Sequence, residues 1–516
     1  MKFASYLASH AASMPDKEAL VCGSRRVSFS ELDRLSSSVA SALQRTGVQP
    51  GDRIALYLPN CVEFAFAFFG IVKAGAIAVP INLRLAPPEI AFMLDDAKPR
   101  AVFVSGEHAA DFERAAAGID DNASLQRIAV NGEPKPGELD FRVMLQQTGP
   151  LLNEIPVEFD DCMISYTSGT TGKPKGAVLT QSNFIIMNGF VNGLYWGFGE
   201  NDRILITTPL AHRTAFARMG NMLVHGCTLI IVPRFDAAEV AQVVETERIT
   251  VLGIVPTVVR LLMPEIIKAP QRFASLERIL ATGEAFAVEL KAELMAHLPA
   301  VKLYSFFSMT EVGVITLLRP HEQISHASTV GRVVAGIEMK LLDDDGREVA
   351  VGEAGEVWVR TGEPGRYLNM REYYQRPEAN RESIRNGWFG TGDMAKIDAD
   401  GYVTIVDRKK DMILSGGYNI YSKEVEAALC SHEAVAQAAV VGVPDPVFGE
   451  AVAAFVVLRP GMQADADALT AWCLERIASY KKPKTYRFVS TLPENSTGKV
   501  LKRELRAQYL AAQSEQ

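Results

Sequence analysis

The chain of 516 residues is longer than one hydrophobic core usually serves, so two or more domains are expected. Hydrophobic residues make up 48%, which excludes a disordered chain, and a formal net charge of −8 without long blocks of like charge argues against a nucleic-acid binder. Six scattered cysteines, at 22, 61, 162, 227, 430 and 473, form no Cys-x-x-Cys pair, so neither a zinc site nor a disulfide framework is suggested and a reducing cytoplasm is expected.

Met1-Lys2-Phe3-Ala4-Ser5-Tyr6-Leu7 runs into Ser9-His10 without an apolar segment of signal-peptide length. Leu32, Leu35, Val39 and Leu43 share one face of a helix predicted over 29–43 and closed by Gly47. A strand is predicted at 53–58. The apolar stretch 61–81 is broken by Glu63, Lys73, Gly70 and Gly75, which predicts a buried helix over 61–74 and a strand over 76–80, with no membrane span.

Next comes Tyr166-Thr167-Ser168-Gly169-Thr170-Thr171-Gly172-Lys173-Pro174-Lys175-Gly176, between two predicted strands, 162–165 and 177–180. Glycines let backbone N–H groups turn inward, hydroxyls add donors, and Lys173 and Lys175 bring positive charge, a combination suited to a polyphosphate. It is not the P-loop pattern, because Gly169 and Gly172 are wrongly spaced and Pro174 follows Lys173.

Alternation continues with strands at 203–208, 228–232, 251–255 and 278–281 and helices at 215–223, from about Thr257, and at 287–297. The pattern predicts an α/β fold whose large N-terminal domain holds two related subdomains with largely parallel sheets. After Arg332, short strands at 337–342 and 357–360 and the turns at Asp345-Gly346 and Gly352 predict a small β-subdomain. From Asp407 a small α+β C-terminal domain is expected, giving an N-terminal domain 1–406, a junction 407–411 and a C-terminal domain 412–516.

The string 166–176 resembles the signature loop of the AMP-forming acyl-adenylating superfamily, which includes acyl-CoA synthetases, aryl-CoA ligases, luciferases and peptide-synthetase adenylation domains. Further motifs follow in the family's order. Phe306-Phe307-Ser308-Met309-Thr310-Glu311 resembles its aromatic-Gly-x-Thr-Glu string, with Phe for the commoner Tyr and Ser308 for Gly. The resemblance implies that Phe307 stacks on adenine and that Glu311 helps bind Mg2+. It also implies that Gly283-Glu284-Ala285 lines adenine and the acyl tunnel, and that Asp393, in Thr391-Gly392-Asp393, accepts from the ribose hydroxyls. In 407–420, Arg408 matches the ribose contact, Lys410 the hinge, and Gly416-Gly417 the turn beside pantetheine. The resemblance thus implies that the junction 407–411 is a hinge and the C-terminal domain mobile. Lys499, in Thr497-Gly498-Lys499, matches the adenylation lysine. Lys482 and Lys484 resemble a site for CoA phosphates, and His212 a gate to an acyl pocket that includes Arg213 and Phe306.

The resemblance implies an AMP-forming carboxylic acid:CoA ligase that works through an acyl-adenylate, with Mg2+ accompanying ATP, CoA as co-substrate, and a fatty, aryl or polycyclic acid. Small molecules are the expected partners; a homodimer is left open. Two rivals stand beside it: an adenylating enzyme that loads a carrier protein or feeds an oxygenation, and an inactive nucleotide-binding relative. Arg213 and Arg218 are five apart, about 140° around a helix, so both cannot face one pocket. At most one is expected to face the acid, where it would meet Glu284 or a polar group of the substrate; an internal ion pair or a solvent-facing side chain is the first expectation, and recognition of a polar or anionic group at the far end of the acid is the second.

Overall fold

The computed structural model describes residues 2–119, 124–151, 155–156, 158–167, 174–362, 369–415, 418–494 and 500–514. Ser168, Gly169, Thr170, Thr171, Gly172 and Lys173, with Gly416, Gly417 and Lys499, lie outside them.

Ser28 Oγ accepts from Glu31 N at 3.2 Å and starts the helix Phe29–Arg45, whose buried face includes Leu32, Leu35, Val39 and Leu43. The apolar stretch becomes the helix Val62–Lys73 and the strand Ile77–Pro80. Phe64, Phe68 and Phe69 are fully buried there, and the charge of Lys73 is met by Asp33 Oδ1 at 2.6 Å. Gly70 lets the two helices touch: a Cβ there would lie 2.5 Å from Val39 Cγ1.

Two sheets follow from the doubled alternation. One has seven strands among the described residues; Arg53–Tyr57 lies between Ala101–Ser105 and Ile77–Pro80, parallel to both, and the antiparallel hairpin Asp161–Thr167 with Lys175–Thr180 forms an edge. The other has nine, with Thr228–Ile231, Arg203–Ile206, Val251–Ile254, Arg278–Ala281 and Lys302–Met309 as a parallel run and Gly313–Leu318 turning back antiparallel. Because these central strands are covered on both faces they are almost wholly apolar, and Leu205, Ile230, Leu252, Ile279 and Leu303 share one core cluster with Val240, Leu262 and Leu290 from the covering helices.

The chain forms two compact units, Met1–Glu338 with Val359–Phe389, and Met339–Trp358 with Gly390–Gln516. In the smaller unit the strand Val403–Arg408 pairs with residues 393–397. Beyond it, Gly449–Leu458 lies between Val435–Asp445 and Thr485–Phe488, and the helices Ser422–Cys430 and Ala466–Leu474 bury Val425, Leu429 and Leu469 against this sheet. The fold is therefore mixed α/β, with a large N-terminal and a smaller C-terminal domain. No helix among the described residues is long and apolar enough to cross a membrane.

Candidate active site

In open α/β sheets, ligands bind beyond the carboxyl ends of the parallel strands. His212 and the 282–285 turn follow such ends in the nine-stranded sheet, and the 306–311 string is the carboxyl end of the strand Lys302–Met309 and the two residues beyond it. Thr167 and Lys175 face each other across the last rung of the hairpin that carries the phosphate-type loop. Thr167 Oγ1 donates to Glu311 Oε1 at 3.3 Å, and Tyr373 Oη donates to the same oxygen at 2.9 Å. Burial, reinforced by Glu311, raises the Tyr373 hydroxyl above the ordinary phenol value, so it stays protonated and able to donate. Lys175 Nζ lies 5.1 Å from the Tyr373 ring centroid. Glu311 thus sits buried at the hairpin's mouth, with Oε1 clasped by two hydroxyls and Oε2 without a hydrogen bond among the described residues.

Thr282 Oγ1 donates to Phe306 O at 2.8 Å and meets Ser308 Oγ at 2.9 Å, tying two strand ends together. Ser308, at the family's glycine position, is thereby used as a cross-strand partner. Gly283 has φ +100°, a conformation that disfavours side chains, and Gly283, Glu284 and Ala285 form an exposed turn. Phe307, Met309 and Thr310 are half-buried, and Phe306 is buried with its ring centroid 5.2 Å from that of Trp196. His212 caps the helix Arg213–His225, its Nδ1 accepting from Thr214 N at 3.3 Å. Burial and then Arg213 push its imidazole below the usual histidine value, so at neutral pH it is uncharged with its proton on Nε2. Asn60 supports this segment, its Oδ1 accepting from Leu210 N at 2.7 Å and its Nδ2 donating to Thr208 O at 3.0 Å.

Both arginines of this helix are buried, and neither makes an ion pair among the described residues, so an internal ion pair and a solvent-facing side chain are both overturned. Glu284 is not their partner either; its carboxylate accepts from Thr257 N at the start of the next helix. The two side chains diverge as their spacing requires. Arg213 lies over Phe184, 5.5 Å from the ring centroid, near the Gly313 backbone and within the field of Glu311. Arg218 lies over Trp196 at 5.2 Å and donates to Asn221 Oδ1 at 3.1 Å. Burial lowers both guanidinium groups to about 10, which leaves them cationic at neutral pH.

In the smaller unit, Asp393 and Arg408 are opposite residues of an antiparallel pair, with Arg408 Nε 3.5 Å from Asp393 Oδ1. Thr391 Oγ1 accepts from Asp393 N at 3.1 Å and donates to Val357 O at 2.9 Å, which holds the turn. Lys410 sits in the 3-10 turn Lys409–Asp411, where burial lowers its amine below the ordinary lysine value. Lys484 is committed to Asp445, Nζ to Oδ2 at 2.5 Å, and this bond, helped by the Phe448 and Val447 N–H groups, holds the Asp445 carboxyl down to about 2. Lys482 makes no ion pair among the described residues.

Three contributors escaped the sequence reading: Tyr373, Asn60 and Trp196. None belongs to a motif, and each reaches its partner across the fold, Tyr373 to Glu311, Asn60 to Leu210 and Trp196 to Phe306.

The model of the AMP-binding enzyme family matches residues 7–374, and that of the AMP-binding enzyme C-terminal domain matches 424–499. A feruloyl-CoA synthase of an Amycolatopsis species is 36% identical over 502 residues, 96% of each chain. A long-chain-fatty-acid–CoA ligase of Mycobacterium tuberculosis is 34% identical over 504 residues, 94% of each. The o-succinylbenzoate CoA synthetase of Bacillus subtilis, solved with its acyl-adenylate intermediate, superposes with a TM-score of 0.84 at 29% identity over 97% of both chains. The same synthetase has also been solved with ATP and a magnesium ion.

Proposed function

Because this chain belongs to the AMP-binding enzyme family and is an AMP-forming acyl-CoA ligase, we propose that the residues assembled above divide its two half-reactions between them. In the first, an oxygen of the acid's carboxylate bonds to the α-phosphorus of ATP, the bond to the β-phosphate oxygen breaks, and pyrophosphate leaves. In the second, the CoA sulfur bonds to the acyl carbon and AMP departs. Thr167, the loop Ser168 to Lys173 and Lys175 hold the phosphates. Phe307 stacks on adenine beside Gly283, Glu284 and Ala285, while Asp393 and Arg408 receive the ribose. Lys499 neutralises charge at the α-phosphate during adenylation, and His212 gates the acid.

The observation that carries this reading is Glu311: one oxygen is fixed by Tyr373 and Thr167 and the other is left for a ligand. One carboxylate with an oxygen free of hydrogen bonds among the described residues is the kind of protein ligand that Mg2+ takes beside substrate phosphates. The bound ion supplies positive charge to the phosphates as pyrophosphate leaves. Residues 407–411 are assigned as the hinge about which residues 412–516 reorient between half-reactions. Lys484 reaches CoA only by leaving Asp445, so Lys482 is the freer cation for that role. The free cysteines suit a reducing compartment, and a cytoplasmic location and a homodimer belong to the same proposal, to be checked by fractionation and sedimentation.

The test is Lys499→Ala assayed in each half-reaction. It is expected to abolish pyrophosphate release while still converting supplied acyl-AMP to thioester. Equal loss in both steps rejects the assignment.

A further inference from the structure

Arg218 is charged, buried and short of negative charge. Its partners are the Trp196 ring and the neutral amide of Asn221, and the group that raises its affinity for a proton, Cys227, is itself pushed up to about 12 and uncharged. Arg213 differs, because Glu311 offsets it. A desolvated guanidinium with only neutral neighbours is a costly thing to keep unless an anion arrives.

The surroundings of Arg218 also leave polar capacity unused. Trp196 Nε1 and Asn192 Nδ2 are buried donors without a hydrogen-bond partner, four residues apart and so on one side of the helix Asn192–Trp196. Against Arg218 itself, the strand Val251–Ile254 carries Gly253, which has no positive φ to explain a glycine. A Cβ there would lie 3.3 Å from Arg218 Nε and 3.8 Å from its Nη2, so the bare backbone is what lets the guanidinium pack at this place. Phe306 closes the region through its contact with Trp196.

We propose that Arg218, with Trp196 Nε1, receives a second carboxylate at the far end of the substrate acid, so that the enzyme activates dicarboxylic acids. This rests on the ligase reading above and names its substrate class. An anion answers the charge deficit, which a carbonyl or hydroxyl does not, and a carboxylate matches the guanidinium fork. Arg218 lies six residues beyond the gate at His212, about 9 Å along the helix axis, roughly the span of an eight-carbon chain.

The test measures pyrophosphate release and CoA-dependent thioester formation by the full chain with dicarboxylic acids of six to ten carbons, their monomethyl esters, and the monocarboxylic acids of equal length. The diacids are expected to exceed both comparators in kcat/KM by at least about tenfold. Arg218→Met is expected to remove the preference, and Arg218→Lys to retain part of it. Equal or better turnover of the esters or monoacids by the unmodified enzyme overturns the dicarboxylate and leaves the ligase intact, even if Arg218→Met does not fold. An unchanged preference in Arg218→Met overturns the role of this arginine. Release of pyrophosphate from no acid removes both readings.

Discussion

Replacing Tyr373 by phenylalanine deletes one oxygen and keeps the ring that lies beside Lys175. The lost group is the nearer of the two donors to Glu311 Oε1, at 2.9 Å against 3.3 Å for Thr167. A hydrogen bond to a charged group contributes about 1.5–3 kcal/mol, which at about 1.4 kcal/mol per decade is roughly ten- to hundredfold. Loss of a partner that orients a metal-binding carboxylate has an effect of the same size, about 10–100-fold in metal affinity. Tyr373→Phe is therefore expected to raise the Mg2+ concentration for half-maximal pyrophosphate release by about tenfold or more, with KM for the acid changing far less. Thr167→Val should give a smaller shift. The assay is a Mg2+ titration at fixed ATP, paired with thermal unfolding of each variant. A Tyr373→Phe enzyme that is destabilised yet has the wild-type Mg2+ dependence refutes the argument, because Tyr373 then supports only the fold.

Lys410→Pro fixes φ near −65° in the 409–411 turn and is expected to leave adenylation largely intact while slowing thioester formation; an unaffected second step moves the hinge elsewhere. His212 titrates below its unfolded value, so it lends stability that is complete above about pH 6.5 and lost as pH falls through the lower folded value. Urea midpoints between pH 5 and 8 should accordingly fall more steeply on acidification for wild type than for His212→Asn. Gly283→Ala forces a side chain onto φ +100° with its Cβ 3.2 Å from Val255 Cγ1, and is expected to destabilise the chain by about 1–3 kcal/mol in denaturant unfolding.

Periodicity and punctuation were enough for the elements that obey local rules. Leu32, Leu35, Val39 and Leu43 share a helical face because 3.6 residues make a turn, and Glu63, Lys73 and the glycines of 61–81 were enough to break a membrane-length reading. The motifs gave the family and marked Thr167 and Arg408, the last residues of their strands, Glu311 just past one, and Asp393 inside Trp388–Ile397 opposite Arg408, because turn and strand chemistry is written in consecutive residues. Only the tertiary structure decided which atoms meet. Tyr373 reaches Glu311 across 62 residues, and Glu284 accepts from the backbone of Thr257 instead of pairing with an arginine. A spacing of five separated the two arginines by angle. It could not say that both would lose water, since desolvation depends on what other strands and helices bring alongside: Glu311 beside Arg213, and Trp196 with a bare Gly253 beside Arg218.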